Sequence, residues 1–204
     1  MKAIEPNLGI EDNKGTATCN TKIAKDKGWI PDAEGDGTGC ATPIVPPADA
    51  PVITLMVASN LDIKVKLAAK RDNTKIWVKE GNAEFKEKII NSLLEPGDAP
   101  VYKAIDATTI QFYGDITQIE CKFNGKRFNA VDFSKNPLLE VVDVSHSALE
   151  TLDLSANAKL KVFKSGLNIL KAVKFAANSD LEEVELNDNI SLAAIDISAQ
   201  SKLN

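Results

Sequence analysis

Residues 149–157 read Leu-Glu-Thr-Leu-Asp-Leu-Ser-Ala-Asn, and the same phrase returns along the C-terminal half of the chain. An apolar anchor is followed by apolar residues at +3 and +5 and by Asn at +8. Leu170, Val173, Phe175 and Asn178 repeat it, as do Leu181, Val184, Leu186 and Asn189. Upstream, Phe128, Val131, Phe133 and Asn136 obey it, and so do Ile116, Ile119, Cys121 and Asn124. The anchors Ile116, Phe128, Leu139, Leu149, Leu160, Leu170, Leu181, Leu192 and Leu203 stand 10 to 12 residues apart. Ser147 and Gln200 replace the Asn, and Ser165 replaces an apolar residue. Self-similarity at a fixed short period marks a stacked repeat architecture.

The spacing dictates the local structure. Side chains alternate along a strand, so apolar residues at +3 and +5 face one way and the residue at +4 faces the other. The Asn lies three residues beyond the strand, where the chain must turn, and its amide can bond backbone groups that the turn leaves unpaired. Stacked Asn side chains then form a ladder, and each coil buries its leucines against its neighbours. Two half-repeats make a coil of about 21–22 residues. That is too short to carry a helix on its back.

The phrase resembles the leucine-rich-repeat pattern L-x-x-L-x-L-x-x-N at half the usual period. Its alternating forms, "LDLSAN" and "VDFSKN" against "IECKFN" and "VELNDN", are similar to internalin-like leucine-rich repeats of bacterial surface proteins, in particular those of Bacteroidetes. The segments "PVITLMVA" at 51–58, "LDIKVKLAA" at 61–69, "KIWVKEGNAEF" at 75–85 and "TIQFYGDITQIECKFNG" at 109–125 resemble the β-rich cap that precedes such repeats. The resemblance implies a mainly β protein: a small β-rich cap over 51–115, then a leucine-rich-repeat solenoid of about four short coils over 116–204. Residues 1–50 form an irregular segment ending in the proline-rich linker "TPIVPPADAP" at 42–51, which is extended and stiff. Within 51–115, alternation predicts strands through Ile53-Leu55-Val57, Ile63-Val65-Leu67 and Ile76-Val78. Phe85, Ile89 and Leu93 recur at helical spacing, which predicts a helix over 83–94 capped by Asn82 and ended by Pro96-Gly97.

Composition narrows the function classes. The chain has 204 residues, 44% apolar and 26% charged, with a net charge of −5. That suits a globular protein with a sizeable core. No segment is basic, so a nucleic-acid partner is not expected. No apolar run approaches the roughly 18 residues of a membrane span. The opening Met1-Lys2-Ala3-Ile4-Glu5-Pro6 lacks the apolar stretch of a signal peptide.

Candidate chemistry is sparse. His146, the only histidine, falls in the turn "DVSHS" and is read as a solvent-exposed turn residue. Neighbours on one strand cannot align as nucleophile, base and orienting carboxylate. Cys19 and Cys40 flank the same irregular segment and are the candidate disulfide pair, with two reduced thiols as the alternative. A bridge would close a loop worth about 3 kcal/mol through the unfolded chain. Cys121 occupies a +5 position and is read as a buried structural thiol. Asp32, Glu34, Asp36 and Gly37 resemble the front of a calcium loop, but Pro43 stands where the bidentate Glu belongs, so an acidic turn is the better reading. Trp77 is read as core or interdomain packing, and Trp29 as packing residues 1–50 onto the body. No metal or cofactor is expected.

The outward +4 positions bear most on function. One row is Glu120, Asp143, Lys164 and Glu185, with Glu140, Glu182 and Glu183 beside it. The other is Asp132, Asp153, Lys174 and Asp196. The resemblance makes the first row, with Glu140 and Glu183, the expected contact face. The expected function is a non-enzymatic binding or adhesion module on an extracellular or outer-membrane surface, taking an unidentified protein or glycan, including one of host origin. A spacer without a ligand is the alternative. No polar element closes the last coil, so the chain continues, residues 1–30 fold back, or open solenoid ends pair between copies.

Overall fold

The computed structural model describes residues 43–177 and 180–203, which apart from Pro43 belong to the unit Ile44–Asn204. The Cys19–Cys40 pair, the calcium-like loop before Pro43, Trp29 and Asn178 lie outside the described residues. The upstream strands are β1 (Val52–Val57), β2 (Asp62–Lys64), β3 (Lys66–Ala69), β4 (Thr74–Glu80), β5 (Lys86–Ile90), β6 (Val101–Lys103) and β7 (Thr109–Tyr113). The repeats supply β8 (Ile116–Glu120), β9 (Phe128–Asp132), β10 (Val141–Asp143), β11 (Thr151–Leu154), β12 (Val162–Lys164), β13 (Ala172–Phe175) and β14 (Glu183–Glu185). The described residues are all-β, without a helix, and include a β-solenoid of about three turns.

Alternate half-repeats build opposite walls of the solenoid. β8, β10, β12 and β14 pair in parallel and in register on one wall. β11 and β13 do the same on the other. The anchors Leu139, Leu149, Leu170 and Leu181 are fully buried, as are Val142, Val144, Leu154 and Phe163 at the +3 and +5 positions. The strand alternation read from sequence therefore sets the interior. Ser165, the polar residue at a +5 position, is also fully buried, and the Asn168 amide donates to its hydroxyl at 3.0 Å.

The +8 amides are the fasteners between coils. Asn168 Nδ2 donates to Val144 O at 2.9 Å, and its Oδ1 accepts from Leu149 N–H at 3.2 Å. Asn189 repeats both bonds one coil later, to Ser165 O at 2.8 Å and from Leu170 N–H at 3.1 Å. On the opposite turns, Asn157 donates to Phe133 O at 3.2 Å and Gln200 to Ala176 O at 3.0 Å. All of these side chains are buried. Gln200 reaches the carbonyl one residue beyond the +5 position that Asn157, Asn168 and Asn189 use.

The upstream strands join the same hydrogen-bond system. β3 lies antiparallel on β8, extending one solenoid wall, and β1 lies antiparallel on β9. The five-stranded sheet β5-β4-β7-β1-β9 follows. Asn124 clips Lys64 at both ends of its peptide, accepting from its N–H and donating to its C=O at 2.9 Å each. One apolar cluster runs from Ile53 and Phe112 to Leu170 and Leu181.

Two expectations need correction. Residues 83–94 form no helix; they contain strand β5, paired antiparallel with β4. The open edge of β4 needs backbone partners, and pairing across it outweighs a short helix of marginal propensity. The helical spacing of Phe85, Ile89 and Leu93 was misleading: Ile89 and Leu93 are exposed, while Ile90 is buried. The charged residues of β5 suit an edge, with Glu87 to Lys75 at 3.0 Å and Lys86 to Glu80 at 2.7 Å. The solenoid also has about three turns rather than four. Residues 186–203 wind onward without a strand, and Ile190 and Ile197 are exposed. Among the described residues no coil lies beyond this stretch, so one of its sides has no strand to pair with.

Replacing Asn168 with Ala removes a buried amide that serves three backbone groups, Val144 O, Ser165 O and Leu149 N–H. Urea denaturation should show a loss of about 2–4 kcal/mol. Asn187→Ala, at an exposed neighbouring position, should stay within about 0.5 kcal/mol. Equal effects from the two would mean that the ladder does not hold the coils.

Candidate functional site

The wall β3-β8-β10-β12-β14 lines up the expected contact row by pairing alone. Lys66, Glu120, Asp143, Lys164 and Glu185 are successive partners across it. Their outward direction follows from the buried residues on either side in each strand. The row is largely self-compensated. Lys122 bridges Glu120 at 3.1 Å and Asp143 at 3.7 Å. Lys164 reaches Glu183 at 2.6 Å and Glu185 at 2.8 Å. Glu140, one strand start away, takes Lys161 at 2.6 Å. The two glutamates raise the Lys164 amine above its ordinary value, and Lys164 in turn lowers the Glu183 carboxyl. Such half-exposed pairs are each worth about 0–1 kcal/mol, so they shape the face more than they stabilise it. The second row splits: Asp153 stands opposite Lys174 on β11 and β13, while Asp132 on β9 stands opposite Thr54.

A motif inside that row escaped the reading of the +4 residues as ligand-facing. The sequence repeats Asp-x-Ser at 132–134, 143–145, 153–155 and 196–198. Each Asp carboxylate accepts from the Ser N–H two residues on, at 2.8, 3.1, 3.0 and 3.0 Å. This is an Asx turn, and it starts the bend that leads to the ladder Asn. Asp143 therefore has a scaffold role as well as a place on the face. The Ser155 and Ser198 hydroxyls and N–H groups hold the Asp153 and Asp196 carboxyls below the usual carboxylate range.

His146 is not the free turn residue expected. It is half-buried, and its ring lies on Phe123 with centroids 4.3 Å apart and planes 32° apart. Both residues hold left-handed backbone, as do Leu167 and Asp188 at the same place in the next two coils (φ of 60°, 54°, 55° and 59° in chain order). An L side chain there costs about 1–2 kcal/mol per residue. The ladder Asn follows immediately, and the left-handed step is what swings it inward. Adjacent Gly166 admits the close approach of this turn to the next coil: a Cβ there would stand 2.6 Å from Asn187 Oδ1. Ser147 Oγ lies 3.5 Å from both Cys121 O and Ser145 O, completing the weak rung that replaces an Asn.

The remaining sequence candidates fall elsewhere. Cys121 is buried and free, and burial pushes its thiol far up. Trp77 is not in the core; Ile76 and Val78 are, and alternation turns Trp77 to the other face of its sheet beside Tyr113, half-buried. A pair unread in the sequence lies on the upstream sheets: Lys88 Nζ donates to Tyr102 Oη at 2.6 Å. Burial pushes the Tyr102 hydroxyl up to about 12, helped by Glu80, and lowers Lys88. Among the described residues no three His, Cys, Asp or Glu side chains gather as a metal site, and no helix is long and apolar enough to cross a membrane. Comparison of the chain with protein-family models, curated proteins and solved structures finds no match.

Two outcomes follow. Because the folded carboxyls of Asp153 and Asp196 are depressed, their stabilisation is complete above the unfolded value near about 4 and is lost as pH falls through the lower folded values. Urea midpoints measured from pH 7 down to 2 should therefore fall less steeply in Asp153→Ala/Asp196→Ala than in the parent; parallel curves would remove the turn bonds from the account. Cys121 should resist thiol reagents at pH 8 in the native chain and react once urea unfolds it, read by peptide mass. Labelling at native rates comparable to an exposed thiol would contradict its burial.

Proposed function

We propose that the chain is a leucine-rich-repeat module of the internalin-like kind, and that it is a non-enzymatic binding or adhesion domain of a bacterial surface protein. The solenoid coils are the repeats, and the upstream strands act as the cap on their N-terminal edge. The partner is a protein or glycan outside the cell. The observation that carries the reading is the parallel wall with its in-register row Glu120, Asp143, Lys164 and Glu185. It presents three carboxylates and one amine at a fixed spacing of about 4.8 Å over a rigid support, an arrangement suited to recognition by register. The placement of β3 along β8 supports the cap role, since it covers a strand edge that would otherwise be open.

A spacer function is the second reading, and a specific observation favours it. The charges of the wall are mostly paired with one another, and Asp143 also serves its own turn. A face built only to stay soluble would look the same.

The test is a glycan array together with a panel of immobilised extracellular matrix proteins, probed with the parent and with Asp143→Lys/Glu185→Lys. A binder whose signal falls at least tenfold in the variant, with the denaturation midpoint unchanged, supports the wall as the contact face. No binder in either format moves the assignment to the spacer, and a binder indifferent to both reversals moves the contact off this wall.

A further inference from the structure

The two turn edges of the solenoid carry opposite surfaces. At each turn the polar rung is buried, so the residues just before and after it face outward. On the edge of Asn168 and Asn189, these positions expose Phe123, Leu167, Ile169 and Ile190, at 63, 44, 43 and 95% of their full surface. On the edge of Asn136 and Asn157, the same positions hold Lys135, Pro137, Ala156 and Ala158, with no large apolar side chain. Both edges bury a polar rung side chain that bonds a carbonyl of the earlier coil, so burying the rung does not by itself call for apolar neighbours on one edge alone. The apolar edge also places Phe123, His146 and Leu167 in left-handed backbone, where Gly or Asn fits most easily. Bulky side chains kept in that conformation point to a use for them.

The ridge has a sense of direction. At its Phe123 end stand exposed Lys126 and Arg127, neither with an ion-pair partner among the described residues. At its Ile190 end stands exposed Asp188, which accepts from the Asn187 amide. A surface that is basic at one end, apolar along its length and acidic at the other is complementary to itself when turned end for end. We infer that this edge pairs with the same edge of a second copy about a two-fold axis. Phe123 of one copy then meets Ile190 of the other, Leu167 meets His146, and Lys126 and Arg127 meet Asp188. This contact is lateral; it does not use the charged wall, and it does not depend on the proposed function.

The ridge spans three coil spacings, about 14 Å, which is short for a contact of the roughly 800 Å² per partner found in stable complexes. The pairing is therefore weak and rapidly exchanging, with a Kd above the micromolar range. Sedimentation equilibrium of the full chain from 10 µM to about 2 mM should show the average mass rising above 22.0 kDa toward twice that value. Phe123→Asn/Ile190→Ser should stay monomeric throughout while keeping its denaturation midpoint, since Asn suits the left-handed position. Arg127→Glu and Asp188→Lys should each raise Kd at least tenfold, and the double reversal should restore the parent value. A parent that is monomeric at the highest concentration overturns the inference. So does a dimer that survives Phe123→Asn/Ile190→Ser, which would place the contact away from this ridge. Single reversals that the double variant fails to rescue overturn it as well.

Discussion

A side-chain amide reaching one coil back to a buried backbone carbonyl is the bond on which this architecture depends. Half-repeats of 10 or 11 residues turn too tightly for strand pairing to continue round the corner. Carbonyls such as Val144 O and Ser165 O then point inward with no strand partner, and leaving them unpaired would cost each about 1–3 kcal/mol. Asn168 and Asn189 at +8 each answer this with two functions at once. In each, Nδ2 satisfies the carbonyl of the earlier strand, and Oδ1 takes the N–H of an anchor leucine in the same earlier coil. Pitch and turn are fixed by one residue. The exception obeys the same accounting. Ser147 is too short to reach the Phe128 N–H, and that half-repeat carries two additional residues compared with those starting at Leu139 and Leu160, so Phe128 N–H bonds Gly125 O at 3.3 Å instead.

This explains what could be read from the chain. The rung imposes a strict spacing, so Leu149, Leu152, Leu154 and Asn157 announce wall, interior and corner together. Parallel register of the walls then follows, and with it the row from Glu120 to Glu185. Residues 83–94 lacked any such fixed element. Their fate was decided by the vacant edge of β4, a partner dozens of bonds distant in its own hairpin, and local periodicity could not report it. Trp77 shows a milder version: its strand was evident, but the covered face of that strand was set by β7 and β1.

The candidate face was legible in position and misleading in chemistry. The row of +4 residues lies where the alternation puts it. Its acidity, however, mixes two origins. Asp132, Asp143, Asp153 and Asp196 recur because an Asx turn before the corner favours Asp followed by Ser two residues later. Glu120, Glu183 and Glu185 make no such turn, and they are held by Lys122 and Lys164. The repeat of Asp-x-Ser in the sequence was the available sign, visible once the serine is counted with the aspartate.

The corners separate scaffold from surface more sharply than the walls do. Phe123, His146, Leu167 and Asp188 share one backbone conformation to within a few degrees, which shows that the rung dictates φ there. It does not dictate the side chain, for an aromatic, an imidazole, an aliphatic and a carboxylate all occupy the place. On the opposite corners, Lys135, Ala156 and Ala199 precede rung side chains whose amide nitrogens also bond an earlier coil, although the Asn136 and Asn157 oxygens take no anchor N–H there, and they do so without left-handed backbone. A solenoid of this kind therefore leaves one edge chemically free at a conformational cost and the other small and polar at none. In this chain the costly edge is the one dressed with Phe, Leu and Ile, so its chemistry reflects something other than the fold, and contact with another surface is what exposed apolar groups along one line do best.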